Sequence, residues 1–198
     1  MKNWTGNKNS TFSTLGASNH SNYERAKHDF YATDPLAIDK LLSVETPYYK
    51  IWENACGQKH LAKRLTEKGF EVWATDIIDR DGVDNIVDFL DYLTPIKWDG
   101  DILTNPPYRW AQEWVERSMD ILMEGRSLYL FLKITFLESQ SRLDMFKKYP
   151  PKKVLIFSKR IQVARNGEEE MFKKSSAACY AWFVWEKGFK GNPIIKWI

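Results

Sequence analysis

From Asp29 onward, short apolar runs alternate with amphipathic stretches. The runs Lys50-Ile51-Trp52-Glu53, Glu71 to Thr75, Asn85-Ile86-Val87, Asp101 to Thr104, Leu128 to Leu132, Val154 to Phe157 and Ala178 to Trp185 have the length and the β-branched or aromatic content of strands. Leu128 to Leu132 is apolar at every position, which predicts a strand in the middle of a sheet, buried on both faces. Between the runs, Pro35 to Leu42, Lys59 to Lys68, about Arg109 to Met123 and Glu138 to Lys148 carry helical periodicity. Their ends are marked: Asp34 reads as an N-cap before Pro35, Gly69 as a C-terminal stop and Pro150-Pro151 as a break. Strand and helix in alternation predict an α/β fold, a mainly parallel seven-stranded sheet with helices on both faces. Ligands of such sheets bind beyond the carboxyl ends of the strands, so functional residues are expected just after strands.

The remaining segments are polar. Met1 to about His28 is rich in Asn, Ser, Thr, Gly and Lys, with too little apolar content to repay ordering, and reads as a flexible tail. Ser158 to Ser176 is too long for a tight turn and mixes charges of both signs. With 198 residues, the chain divides into this tail and one domain over residues 29–198, and no stretch is left for a separate target-recognition domain. Cys56 and Cys179 lie far apart without metal-ligand spacing, so neither a zinc site nor a disulfide framework is expected. No apolar run is long enough to span a bilayer and the N-terminus has no secretory core, so a cytoplasmic, membrane-free protein is expected. A net charge of +3 permits a nucleic-acid partner without demanding one, and the nine tryptophans suit either a core or a base-stacking surface.

Chemistry gathers where the predicted strands end. After the first comes Glu53-Asn54-Ala55-Cys56-Gly57-Gln58-Lys59-His60, a loop of small residues opening a helix, where a ligand can approach the backbone and meet free N–H groups. Asp76 closes the second strand, nineteen residues beyond Gly57, near the spacing at which dinucleotide-binding folds place a ribose acceptor. Asp88-Phe89 follows the third, offering a carboxylate for an amino group and a ring to cover a base. Directly after Ile102-Leu103-Thr104 stand Asn105-Pro106-Pro107-Tyr108; two prolines fix the backbone, so the Asn105 side chain and nearby carbonyls become preorganised acceptors beside a flat ring. A strand-ending turn is the alternative reading of the tetrad taken alone.

In this order the pieces resemble the successive motifs of class I S-adenosylmethionine-dependent amino-methyltransferases, in particular small phage-type DNA N6-adenine methyltransferases. Phe30-Tyr31-Ala32-Thr33-Asp34-Pro35 is similar to the aromatic-x-Thr-Pro segment that in such families closes over the methionine end of the cofactor. The resemblance runs from Asp29 to about Trp185 and implies a Rossmann-like fold with S-adenosyl-L-methionine as cofactor. By it, Tyr31 and Thr33 hold the methionine end, Asp76 the ribose, and Asp88 with Phe89 the adenine. Ala55 and Gly57 give close backbone approach, and Glu53, Ile77 and Asn105 complete the cofactor-binding set. The chain departs from the pattern at Lys59, where the family has a second glycine; a side chain there either crowds the methionine moiety or points outward at the helix start.

The implied reaction is in-line methyl transfer to an exocyclic amine whose lone pair is delocalised into its ring. Asn105 and the Pro106 carbonyl would accept the two amine hydrogens and stabilise the charge that develops, with Pro107 holding the turn and Tyr108 stacking on a base extruded from its duplex. No metal is required. Adenine in DNA is favoured, with RNA adenine and DNA N4-cytosine as alternatives. Arg109, Lys159, Arg160, Arg165, Lys173 and Lys174 are the candidate nucleic-acid contacts, and the want of a target-recognition domain implies relaxed sequence preference, a very short site, or a specificity partner or homodimer. The resemblance also implies a phage or restriction-modification setting. Two rivals stand beside it: a non-catalytic nucleic-acid-binding protein on the same fold, favoured by Lys59, and a dinucleotide-dependent oxidoreductase, for which only one glycine of GxGxxG is present.

Overall fold

The structure, a computed structural model, describes residues 31–94, 96–165 and 178–198. Ten strands are present: β1 (Tyr31–Thr33), β2 (Lys50–Glu53), β3 (Glu71–Asp76), β4 (Asn85–Ile86), β5 (Asp101–Thr104), β6 (Ser127–Lys133), β7 (Lys153–Ile156), β8 (Val163–Arg165), β9 (Tyr180–Glu186) and β10 (Ile194–Trp197). The helices are α1 (Leu36–Leu42), α2 (His60–Glu67), α3 (Ala111–Ile121) and α4 (Leu143–Lys148). Eight strands form one sheet in the order β10-β7-β9-β6-β5-β2-β3-β4, and β1 pairs with β8 in a separate two-stranded ribbon. Every pairing in the large sheet is parallel except those of β9, which runs antiparallel to β6 and β7.

Both faces of the sheet are buried, which is why its central strands lack a polar face. Along β6, Leu128, Leu130 and Leu132 pack with Val115 and Met119 of α3 and Met145 of α4, whereas Tyr129 and Phe131 pack with Ile38 and Leu41 of α1 and Leu61 and Leu65 of α2. The period of two therefore divides one apolar run between two cores. Trp182 on β9 fills the second core and donates its indole N–H to the Ala37 carbonyl at 2.9 Å, satisfying the one polar atom that it buries.

The expected elements form, with three differences. Only Leu143–Lys148 of the stretch from Glu138 to Lys148 is α-helical; it is preceded by 3₁₀ turns at Ile134–Leu137 and Gln140–Arg142. Arg142 fixes those turns by donating to the carbonyls of Phe136 and Glu138 at 2.9 and 2.8 Å, a local side-chain contact that overrides helix periodicity. The large sheet has eight strands rather than seven, because β10 adds in parallel to the outer edge of β7. The β1–β8 ribbon also went unforeseen, since its strands are three residues each and lie far apart in sequence. The N-terminal tail and the side chains of Arg165, Lys173 and Lys174 lie outside the described residues.

Candidate active site

The carboxyl ends of β2, β3 and β5 converge, and between them lies a cavity of about 330 Å³, within the range of small-molecule sites. The β1 ribbon forms a further wall with Tyr31 and Thr33; Glu53 and Ala55 enter from the end of β2, and Asp76 and Ile77 from the end of β3. Asp88 and Phe89 come from the loop after β4, and Asn105, Pro106, Pro107 and Arg109 from the turn after β5. Residues spread over nearly eighty positions of sequence thus face one space.

The tetrad is held from β1. The Asn105 amide nitrogen donates to the Tyr31 carbonyl at 2.9 Å and to the Thr33 hydroxyl at 2.8 Å. A backbone carbonyl can only accept, so the side chain has a single consistent orientation, with Oδ1 turned away from β1. The prolines leave the chain extended, and Pro107 accepts the Trp110 N–H at 2.9 Å to start the 3₁₀ turn Tyr108–Trp110 that leads into α3. Tyr108 does not line the cavity: its ring lies 6.2 Å from that of Tyr31 and 6.1 Å from that of Tyr180, with the Lys133 ammonium 5.5 Å from its centre.

The acidic positions differ in environment. Asp76 Oδ2 accepts the Gly57 N–H at 2.9 Å, and Oδ1 accepts from Ile78 N–H at 3.1 Å and from the Arg80 guanidinium at 2.9 Å. Gly57 itself has φ of 54°, which lets its N–H face Asp76 from behind the cavity wall. Glu53 is 2 % exposed and its Oε2 is buried without a partner. Burial holds its carboxyl well above the ordinary range, only partly opposed by the Ala62 backbone N–H, and the neighbouring Asp76 charge adds to the rise. Next to it, the Asn54 amide oxygen accepts the Trp114 indole N–H at 2.9 Å, while its Nδ2 is also buried without a partner. Asp88 is exposed and caps Leu90 N–H at 3.0 Å, whereas Phe89 is buried 5.4 Å from Trp52 and 4.9 Å from Trp114.

Lys59 occupies the left-handed region, with φ of 61°, the one described non-glycine residue to do so. Its ammonium reaches the Gly82 carbonyl and lies 3.5 Å from Asp84, on the outer side of the loop and outside the cavity wall. The side chain therefore points outward and does not crowd the site. Cys56 lies in the wall, and burial keeps its thiol protonated far beyond neutral pH, which argues against a thiolate nucleophile.

No family model and no curated protein sequence matches the chain. Solved structures do. A candidate class I S-adenosylmethionine-dependent methyltransferase of Listeria monocytogenes superposes with a TM-score of 0.51 at 14% identity, over 96% of this chain and 72% of that one. The chain has a class I methyltransferase fold. A candidate RNA methyltransferase of Pyrococcus horikoshii shares it with a TM-score of 0.55 and 12% identity over 90% of this chain and 100% of that one. The type IIG restriction endonuclease BpuSI matches with a TM-score of 0.53 and 14% identity over 90% of this chain, which spans 27% of that longer protein. At such identities the likeness concerns the fold, whose strand ends carry the cavity just described.

The wall includes residues that were not singled out as site residues, among them Asn54, Arg80 and Trp114, whereas Gly57 and Tyr108, which were, do not line it. Trp114 meets Asn54 across sixty residues, and that pairing has no local signal. Arg80 lies four residues after Asp76, a spacing that could have suggested the ion pair. Lys159 and Arg160 are exposed on the connection after β7, at the same carboxyl edge of the sheet but outside the cavity wall. Among the described residues, no group of three His, Cys, Asp or Glu side chains could hold a metal ion, and no helix is long and apolar enough to cross a membrane.

Proposed function

We propose that the protein is an S-adenosylmethionine-dependent methyltransferase acting on the exocyclic N6 amine of adenine in DNA. The observation that carries this reading is that one cavity at the carboxyl edge of a class I methyltransferase fold contains both the acidic and aromatic positions suited to the cofactor and the Asn105-Pro106 acceptors suited to an amine.

The cavity fits the cofactor on its own chemistry. Glu53 Oε2 is a buried acceptor without a donor, and Asn54 Nδ2 is a buried donor without an acceptor. An α-ammonium and an α-carboxylate would complement this adjacent pair, and Tyr31 and Thr33, which line the same cavity, would complete the methionine end. Asp76 Oδ2 keeps lone-pair capacity for a ribose hydroxyl after accepting from Gly57. Ile77, Val87 and Phe89 supply apolar contact for a purine, and Asp88 an acceptor at its edge. When bound, the cofactor supplies an electrophilic methyl group.

The residues of the chain do the rest. Asn105 Oδ1 and the Pro106 carbonyl draw on the two amine hydrogens, restoring lone-pair density on nitrogen and stabilising positive charge as it forms. Tyr108, the expected stacking partner for an extruded base, packs instead against Tyr31 and Tyr180 outside the cavity wall, and of these three rings Tyr31 is the one that lines the cavity. Arg109, Lys133, Lys159 and Arg160 sit at the carboxyl edge of the sheet and supply cations for phosphates. RNA adenine is the second reading, supported by the likeness to the Pyrococcus horikoshii protein.

Calorimetric titration of S-adenosylmethionine into the purified protein tests the cofactor half. Saturable one-to-one binding with a micromolar dissociation constant is expected; a folded protein that takes up neither this cofactor nor its demethylated product would sink the proposal in favour of a non-catalytic binding protein.

A further inference from the structure

The Asn105 amide can act as an acceptor only while its nitrogen is kept elsewhere, and β1 is what keeps it there. Two bonds do so: Tyr31 O at 2.9 Å and Thr33 Oγ1 at 2.8 Å. Among the described residues nothing donates to Oδ1, and Oδ1 is not among the buried polar atoms that lack a partner, so it is reachable from the cavity that Asn105 lines. Were the amide to turn over, Nδ2 would face the substrate and would suit an oxygen nucleophile or a ring carbonyl instead of an amine. The polarity of this one side chain thus decides which nucleophile the site accepts.

We propose that Thr33 is a positioning residue that sets the polarity of Asn105 and thereby restricts the site to amine-bearing substrates; this rests on the methyltransferase reading above. Thr33 is 2 % exposed, and its backbone is fixed by pairing with Val163 and by the Asp34 N–H donated to the Gln162 carbonyl at 3.1 Å. The β1–β8 ribbon therefore fixes the buried backbone from which Oγ1 reaches Asn105. The two anchors are not equivalent: the Tyr31 carbonyl can only accept, whereas a threonine hydroxyl can also rotate and donate. A carboxylate at position 105 would be repelled by Tyr31 O yet could still be held by Thr33.

The test uses the full chain with Thr33→Val, Thr33→Ser, Asn105→Asp and the Thr33→Val/Asn105→Asp pair. In ¹⁵N-labelled protein, the Asn105 side-chain amide protons, assigned by their loss in Asn105→Ala, should shift and exchange faster in Thr33→Val and recover in Thr33→Ser. With unmethylated plasmid DNA and tritiated-methyl S-adenosylmethionine as probes, Thr33→Val should lower kcat by about tenfold or more, the scale of one lost preorganising contact. Thr33 also lines the methionine end, so cofactor Kd should weaken in Thr33→Val, but by much less than kcat falls at saturating cofactor, and Thr33→Ser should restore the rate. Asn105→Asp should keep part of the activity, and the double variant should lose more than the product of the single losses. Unchanged amide resonances in Thr33→Val overturn the proposal, as does a variant whose cofactor affinity collapses while the amide stays in place, since Thr33 would then be a cofactor ligand alone. A wild-type protein that methylates nothing, with the amide response intact, overturns the methyltransferase reading and is thereby distinguished from failure of the Thr33 assignment.

Discussion

Lys59 is the residue at which local chemistry and sequence pattern disagree most. Its backbone adopts the left-handed conformation that a glycine would adopt without cost, so a glycine-like turn is made here by a lysine. The ammonium bridge to Gly82 and Asp84 helps hold that strained turn. Lys59→Gly, which relieves the strain but loses the bridge, should change unfolding free energy by less than about 1 kcal/mol, whereas Lys59→Val should cost about 1–2 kcal/mol or more; denaturant titration compares them. Both should bind S-adenosylmethionine near the wild-type affinity if they fold, because the side chain stands outside the cavity wall. Glu53 makes a different prediction. Its folded pKa is raised above the ordinary 4.5, so over the window that begins there the folded state holds a proton that the unfolded state has lost. Stability should fall as pH rises through that window, and Glu53→Gln should flatten the decline, measured by thermal melts across pH. Pairing with the cofactor ammonium would favour the ionised carboxylate, so binding should release a proton and tighten with rising pH; calorimetric enthalpies that do not vary with buffer ionisation would contradict this. The acidic strand ends were legible in the sequence because a polar residue after an apolar run stands out. The orphaned amide of Asn54 was not, because it depends on Trp114 arriving from another element.

At the scale of elements, strands were read well wherever both faces are buried, since β5 and β6 are then apolar at successive positions. Reading failed where a specific side-chain or strand contact, near or far in sequence, decides. The 3₁₀ turns before α4 exist because Arg142 collects carbonyls there, and β1 exists because β8 pairs with it across more than a hundred residues. The loop after β4 is another such case. Arg117, on the buried side of α3, donates to the carbonyls of Asp91 and Thr94 at 3.0 and 2.9 Å and pairs with Asp120 at 3.3 Å. That guanidinium anchors the loop carrying Asp88 and Phe89. Arg117→Met should destabilise the protein by about 2–3 kcal/mol, because two carbonyls lose a charged donor, and should weaken cofactor binding more than a distant substitution of equal stability cost. Denaturant unfolding together with calorimetry separates the two effects; an unchanged cofactor Kd would mean that the loop does not shape the site.

Across the whole molecule, the order of strands brings the ends of β2, β3 and β5 side by side, and this adjacency turns separate motifs into one cavity. No single residue carries that information. It was inferable only from the alternation of strands and helices, which implies a parallel sheet with a common carboxyl edge. The same edge carries the cavity mouth, the partly exposed Trp110 and the cations Arg109, Lys133, Lys159 and Arg160, a distribution suited to a polyanion whose base enters the cavity. The central claim is amine methylation of adenine in DNA, and it is tested most directly by mass spectrometry of nucleosides. Unmethylated plasmid DNA would be incubated with S-adenosylmethionine and the wild-type or Asn105→Ala protein, then digested completely. N6-methyldeoxyadenosine is expected from the wild type and none from Asn105→Ala. A methylated nucleoside formed equally by both proteins, or none formed by a wild type that binds the cofactor, would contradict it.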